Sequence, residues 1–317
     1  MQQSTKTAAA SVAKPKKSGR FIKDMKKNGG LYLLASGVIL FYVLFYYKPM
    51  YGILIAFKDY APAKGIWGSP WVGFRHFIDF FENPYFGRLI KNTLIISVSS
   101  IIFVFPMPIV LALCMNELRG KLFPRSVQLV VYLPHFISLI VVCGIITKFT
   151  ADRGIINDIA VLFGAERVSY LNQPSCFVPV YLLSEIWQNV GWDSIIYLAA
   201  LTAANPELYE AAVIDGANRW KQTLHVSIPV ILPTVLIMLL LRIGGLFSIG
   251  YEKIILLYNP ITYTTADVIS TYVYRKGLLE YNWSFSTAVG LFNSVINVVL
   301  LVIANSFSKK LSGNGLW

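Results

Sequence analysis

Runs of apolar residues long enough to cross a lipid bilayer recur six times along this chain, and few folds accommodate that. At ~1.5 Å rise per residue, ~20 helical residues span the hydrocarbon layer. Inside that layer every backbone polar group must be satisfied within the segment, which favours helices. The runs fall at 30–56, 92–115, 126–149, 177–203, 228–250 and 286–307. The first includes Lys48 and Pro49, so its apolar core is 31–47 and its far end is expected to be irregular. The chain is therefore expected to be an all-α, polytopic membrane protein with six transmembrane helices. Composition agrees: 14% of the 317 residues are charged, against roughly a quarter in a soluble domain.

Residues 1–28, rich in Ala, Ser and Lys, are expected to form a disordered basic tail. The transmembrane domain is expected over 29–310 and a second short tail over 311–317. Basic residues near the spans set the orientation. One side collects Lys6, Lys14, Lys16, Lys17, Arg20, Lys23, Lys26, Lys27, Arg119, Lys121, Arg125, Arg219, Lys221, Lys309 and Lys310. The other side has fewer, spread over three longer segments. Both termini, and the segment 204–227 between the fourth and fifth spans, are thus expected in the cytoplasm. The same distribution accounts for the net charge of +12 without a nucleic-acid partner.

No cleavable signal peptide is expected, because the first apolar segment is too long and no small-residue cleavage site follows it. Cys114, Cys143 and Cys176 are odd in number and show no CxxC spacing, so neither a disulfide framework nor a zinc site is expected.

The segment 210–233, "EAAVIDGANRWKQTLHVSIPVILP", interrupts two of the most apolar runs with acids, bases and an Asp-Gly pair. Asn205-Pro206-Glu207 is a helix start: Asn caps, Pro suits the first helical position, and an acid meets the positive end of the helix dipole. The helix should stop at Gly216, which tolerates the left-handed conformation that helix ends often need. Asn218 can cap a second helix over 219–227, leading into Pro229 and Pro233. On helix signals alone, an ordinary solvated loop fits equally well.

Glu210-Ala211-Ala212, then Asp215-Gly216-Ala217, then Val226-Ser227-Ile228-Pro229 resemble the "EAA" cytoplasmic loop of ABC importer permeases, with Trp220 as the aromatic in the gap. Val226 and Ile228 stand where that pattern has Ile and Leu. "YGILIAFKDY", "GIWGSPWVGFRHF", "NTLIIS", "YLPHFIS" and "EKIILLYNP" look like the carbohydrate-type permeases, the branch taking up oligo- and polysaccharides.

The resemblance implies the type I ABC importer permease fold in a bacterial cytoplasmic membrane. It also implies that Glu210, Ala211, Ala212, Asp215, Gly216 and Ala217 dock into a groove of a separate ATPase subunit. Implied partners are two ATPase subunits, a second and usually different permease, an extracellular or periplasmic solute-binding protein, the lipid bilayer and a saccharide cargo. This chain is expected to hold no cofactor. The resemblance places ATP and Mg in the partner ATPase, and this chain's only Gly-Lys pair, Gly120-Lys121, is followed by Leu122 rather than Ser or Thr.

In the fourth run, Glu185, Gln188, Asn189, Trp192, Asp193 and Tyr197 recur at steps of three and four, forming one polar and aromatic stripe on a helix. An acid at mid-membrane costs on the order of 2.5–3.5 kcal/mol on insertion scales, so the stripe should face the bundle interior or a wet cavity. It offers hydroxyl partners and stacking faces for a sugar, and it equally offers bonds between helices. Counting from the cytoplasmic helix ends places Arg242 at ~21 Å, between Asp193 at ~15 Å and Glu185 at ~27 Å. A salt bridge to one of those acids and attraction of an acidic sugar are the two readings of Arg242. Asn293 and Asn297 are candidates for the same cavity or for helix–helix bonds, and His135 for a satisfied buried histidine. No metal site and no catalytic residue are expected. A secondary transporter would usually show more spans and repeats. A membrane-embedded glycan-processing enzyme would need a metal or nucleophile constellation, which is not found.

Overall fold

A computed structural model describes residues 24–25, 27–118, 120, 122–312 and 315–316. The basic tail expected over 1–28 lies almost wholly outside them, as do Arg119, Lys121 and residues 313, 314 and 317 of the second tail. The described chain is helical, with a single isolated antiparallel bridge between Lys58 and Trp71.

The chain divides into two units, 1–54 and 55–317. In the first, α1 (Gly29–Tyr42) is apolar on all sides and buries none of its residues. The second carries α2 (Phe86–Ser99), α3 (Pro106–Asn116), α4 (Leu122–Tyr132), α5 (Leu139–Phe149) and α6 (Pro174–Thr202). It continues with α7 (Pro206–Ile214), α8 (Arg219–Gln222), α9 (Ile228–Gly244), α10 (Tyr251–Leu257), α11 (Ile269–Tyr274) and α12 (Trp283–Ser312).

Four continuous helices among the described residues are long and apolar enough to cross a membrane: Gly29–Phe57, Phe86–Asn116, Arg219–Gly244 and Trp283–Lys310. The run expected as one span over 126–149 is instead two helices, Leu122–Phe136 and Leu139–Phe149, meeting at 98°. Pro134 and the extended Ile137 and Ser138 make that bend, and Ser138 caps α5 by accepting from Val141 N–H. Counted as one crossing, the bent pair gives a fifth span. At 29 residues, or ~43 Å, α6 has the length of another, but its polar stripe keeps it off the count of apolar helices.

Three of these helices widen just before a proline. π-turns at Val43–Tyr47, Ser100–Val104 and Thr223–Ser227 precede Pro49, Pro106 and Pro229. In each, the residue before the proline donates its N–H back five residues, from Lys48 to Val43, Phe105 to Ser100 and Ile228 to Thr223. A proline lacks its own N–H and its ring crowds the carbonyl four residues back, so a widened turn relieves the clash and the helix continues. The second helix expected over 219–227 therefore runs without interruption into α9.

The core is built around α6, which packs on α3, α4 and α9, while α9 packs on α12. Gly191 is where α6 and α4 approach closest: a Cβ there would lie 2.1 Å from the Val131 carbonyl oxygen and 2.5 Å from its carbon. Gly191→Val should force the helices apart at a cost of about 1–3 kcal/mol. Thermal-unfolding scans of the detergent-purified protein should show a midpoint lower by several degrees, and an unchanged midpoint would refute the close packing.

At one end of this unit, the segments 57–85, 150–173 and 251–282 are tied together. Tyr60 N–H donates to Ser284 Oγ at 2.9 Å, Asn259 Nδ2 to the Leu171 carbonyl at 2.9 Å, and Thr265 Oγ1 to the Pro174 carbonyl at 2.7 Å. Asp267, fully buried, pairs with Arg275 at 2.7 Å and Arg88 at 3.5 Å. Burial works against the Arg275 charge, but the hydrogen bond and charge of Asp267 more than offset it and raise the guanidinium above its ordinary range.

Candidate functional site

Expected as part of the fifth run, 245–250 is instead irregular: α9 ends at Gly244 and the chain turns without helix until α10. Non-helical backbone at membrane depth needs partners from its surroundings. Three neighbouring elements supply them. Ser97 of α2 donates to the Leu246 carbonyl, and Ser270 of α11 donates to the Ile249 carbonyl at 2.8 Å. Asn297 of α12 accepts from Phe247 N–H at 2.9 Å and donates to Ser248 Oγ at 2.7 Å. Asn297 is therefore a clamp on this break and does not line a cavity with Arg242.

Beside the break lies a cavity of about 300 Å³ whose wall includes Ser97, Ser100, Tyr181, Glu185, Arg242 and Ser248. A second, of about 270 Å³, is walled in part by Asp193, Tyr197 and Met238, and it shares Leu241 and Arg242 with the first. The two chambers meet at Arg242. Its guanidinium donates to Ser100 Oγ at 2.7 Å, and no carboxylate pairs with it among the described residues. The salt bridge expected between Arg242 and Glu185 or Asp193 is not formed.

Glu185 is engaged elsewhere. Its carboxylate accepts from Lys253 Nζ of α10 at 2.9 Å and from Asn189 Nδ2 at 2.9 Å. Lys253 Nζ also reaches Gln188 Oε1 at 3.3 Å and stands over the Tyr181 ring at 5.6 Å. Lys253 lies between the fifth and sixth apolar runs and is not among the residues singled out from the sequence. Gly250 before Tyr251-Glu252-Lys253, with Ile254 and Leu257 three apart, was the available signal: a short helix burying its apolar side, which carries Lys253 onto α6.

The rest of the stripe divides. Asn189 Oδ1 accepts from His135 Nδ1 at 3.1 Å, and the His135 ring stacks on Trp192 at 4.5 Å and 3°. These contacts fix the α4–α5 bend against α6. Tyr197 is buried among Ala112, Leu201 and Ile231 with part of its surface on the second chamber. Asn293 lines a different cavity, with Tyr251, Tyr274 and Trp283, and its Oδ1 is buried without a partner among the described residues.

The elbow after α6 has the layout expected from its sequence. Asn205 accepts from Glu207 N–H at 3.1 Å and caps α7, Gly216 has φ +74°, and Asn218 accepts from Lys221 N–H at 2.9 Å and caps α8. Ala217 N–H closes the turn on the Ala212 carbonyl at 2.8 Å. Arg219 pairs with Glu117 at 2.7 Å, and Tyr209 hydroxyl meets Ser227 Oγ at 2.9 Å, holding the elbow to the bundle. Glu210, Ala211, Asp215 and Gly216 are exposed, and so are Leu208, Val213, Ile214 and Trp220. Ala212 and Ala217 are half-buried.

The sequence pattern of the family described as binding-protein-dependent transport system inner membrane component matches residues 104–313. The chain is 41% identical to the polygalacturonan/rhamnogalacturonan transport system permease protein YteP of Bacillus subtilis (strain 168), over 97% of this chain and 96% of that one. It is similar to a chain of a bacterial ABC transporter involved in the import of the acidic polysaccharide alginate. That structure has a TM-score of 0.85 and 44% identity, covering 92% of this chain and 99% of the other. A bacterial alginate ABC transporter in complex with alginate pentasaccharide-bound periplasmic protein gives a TM-score of 0.86 and 43% identity, over 94% and 100%.

Proposed function

This chain belongs to the family of binding-protein-dependent transport system inner membrane components, and from that premise we propose that it forms half of the pathway of an ATP-driven importer for an acidic oligosaccharide. As a transport subunit it is not an enzyme, and the readings as a secondary transporter or a glycan-processing enzyme give way to the family match. In this reading α6 and the bent α4–α5 pair both cross the bilayer, giving six spans with the termini and the elbow in the cytoplasm. The other half is a second permease, and a solute-binding protein delivers cargo from outside. Two partner ATPases bind ATP and Mg.

One observation carries the choice of cargo: Arg242 faces both chambers with a hydroxyl as its only close polar partner. A guanidinium in a site of reduced dielectric attracts a carboxylate strongly and pairs with it in two-point geometry. Ser97, Ser100 and Ser248 place hydroxyl oxygens around it, and Tyr181 adds an aromatic ring. That set suits a uronate ring. Support also comes from relatives whose names specify polygalacturonan and alginate.

Energy enters through the elbow. Its Leu208, Val213, Ile214 and Trp220 are apolar and left exposed by the described residues, as side chains that a docking groove covers would be. Because Arg219–Gly244 is one continuous helix from the elbow to the break beside the cavity, a push at the elbow moves Arg242 and the chamber walls with it.

The test is the complete complex in proteoliposomes, with ATPase activity followed as the binding protein is loaded with oligogalacturonate or with neutral oligosaccharides. Oligogalacturonate should stimulate hydrolysis several-fold more than neutral chains. Stimulation by a peptide or amino acid, with none by any saccharide, would overturn the reading.

A further inference from the structure

We infer that Lys253 is a specificity-determining residue: by holding the Glu185 carboxylate, it leaves Arg242 as the one uncompensated charge in the chamber beside the break, and so sets that chamber to accept an anionic cargo. The inference rests on the acidic-saccharide reading above and assigns to it a residue in no previous role.

The argument is one of charge and position. Four charged side chains meet the two chambers. Glu185 and Arg242 line the first, Asp193 and Arg242 line the second, and Lys253 stands behind Glu185 from α10. No other carboxylate or base lines either chamber. Glu185 is about one-fifth exposed at the chamber wall, while Lys253 is nearly closed off, with 6% of its side chain accessible. The lysine is therefore out of contact with cargo, and its charge acts on the chamber through space, cancelling that of Glu185.

Without Lys253, Glu185 would present a bare carboxylate beside Arg242, and the chamber would carry no net charge toward an approaching uronate. With it, the Glu185–Lys253 pair sums to zero, and no other carboxylate lines the chamber beside the break with Arg242; Asp193 lines only the second. Coulomb interactions in a site of low effective dielectric are several times stronger than in water, so one uncompensated charge decides which cargo is held. Stability alone does not account for the pair, since a buried ion pair is often no better than a well-packed apolar substitute. What the pair changes is the field.

The test uses the reconstituted complex and two cargoes of one backbone: oligogalacturonate and its fully methyl-esterified, neutral form. The readout is the ratio of their half-saturating concentrations in binding-protein-stimulated ATPase activity, compared across four chains. Counting Glu185, Lys253 and Arg242, and setting aside Asp193 of the second chamber, which is common to all four chains, the charge is +2 in Glu185→Gln, +1 in the unaltered chain, +1 in the double variant Glu185→Gln/Lys253→Met, and zero in Lys253→Met. Preference for the anionic form should fall in that order. The double variant should match the unaltered chain, and Lys253→Met should lose at least tenfold. A purely structural pair would lower folded protein and leave the ratio alone. If Lys253→Met does not assemble, the decision moves to Glu185→Gln, which must raise the preference, and to the double variant, which must return it. One ratio for all four chains, with the unaltered complex still responding to oligogalacturonate, overturns the inference alone. No response of the unaltered complex to either cargo overturns the saccharide reading and this inference with it.

Discussion

Arg242→Gln is expected to raise the half-saturating concentration for acidic oligosaccharide roughly 30-fold or more, with little change for a neutral chain of equal length. Removing one partner of a buried charge pair costs ~2–5 kcal/mol of binding, and ~1.4 kcal/mol is tenfold. The variant should fold, because no carboxylate forms an ion pair with Arg242 among the described residues, and Asp193 shares only the second chamber with it. Only the bond to Ser100 is lost. Arg242→Lys keeps the charge but not the planar fork, and should recover part of the affinity. Binding-protein-stimulated ATPase activity against both cargoes reads this directly. Equal losses for acidic and neutral cargo would mean that Arg242 shapes the chamber without reading charge.

The second large effect is expected at the elbow. Glu210→Arg reverses an exposed charge that no partner in this chain engages. Surface changes of that kind usually alter stability by less than about 0.5 kcal/mol. Co-purification of the ATPase subunits should nonetheless fall at least tenfold, and cargo-stimulated hydrolysis with it. Gly216→Val adds a different stress. Nothing lies within 4 Å of a Cβ at this position, so space is not limiting. The φ of +74° is limiting, costing roughly 1–2 kcal/mol for an L side chain and more for a branched one. The corner should reset and α7 should point elsewhere. Normal amounts of bound ATPase and normal stimulated hydrolysis in both variants would remove the elbow from the coupling path.

The elbow could be read from sequence because each of its devices is local. Asn205 and Asn218 cap helices, Pro206 opens one, and Gly216 takes a positive φ, all within a few residues of backbone. The stripe on α6 was legible for the same reason, since a helix turns its period directly into a face. What the stripe touches was not legible. The partner of Glu185 comes from a residue 68 positions away, on a helix only seven residues long. Arg242 and Asp193 were placed at neighbouring depths, and depth alone suggested a salt bridge. Orientation around the helix axis, which depth does not contain, turned Arg242 to Ser100 instead.

For Asn297 the sequence left cavity lining and inter-helix bonding both open, through the same gap. A polar residue in an apolar helix must bond to something, but only the break after Gly244 shows that its partners are a freed backbone N–H and Ser248. Gly244, Gly245 and Gly250 carried that signal in the sequence. The right-angled bend between α4 and α5 had one as well, in Leu133-Pro134 followed by Ser138. A run of uniform hydropathy conceals such a bend, because hydropathy records where a residue is soluble and not which way the chain is heading.

The widened turns ahead of Pro49, Pro106 and Pro229 act as phase shifters. Each inserts one residue into the helical count, so side chains on its two flanks are offset by roughly 100° relative to an unbroken α-helix. In Arg219–Gly244 the shifter lies between the elbow and Arg242. The face presented at the elbow and the face that carries Arg242 are thereby offset from each other, and a one-residue insertion or deletion in the turn would reset that offset without altering either face.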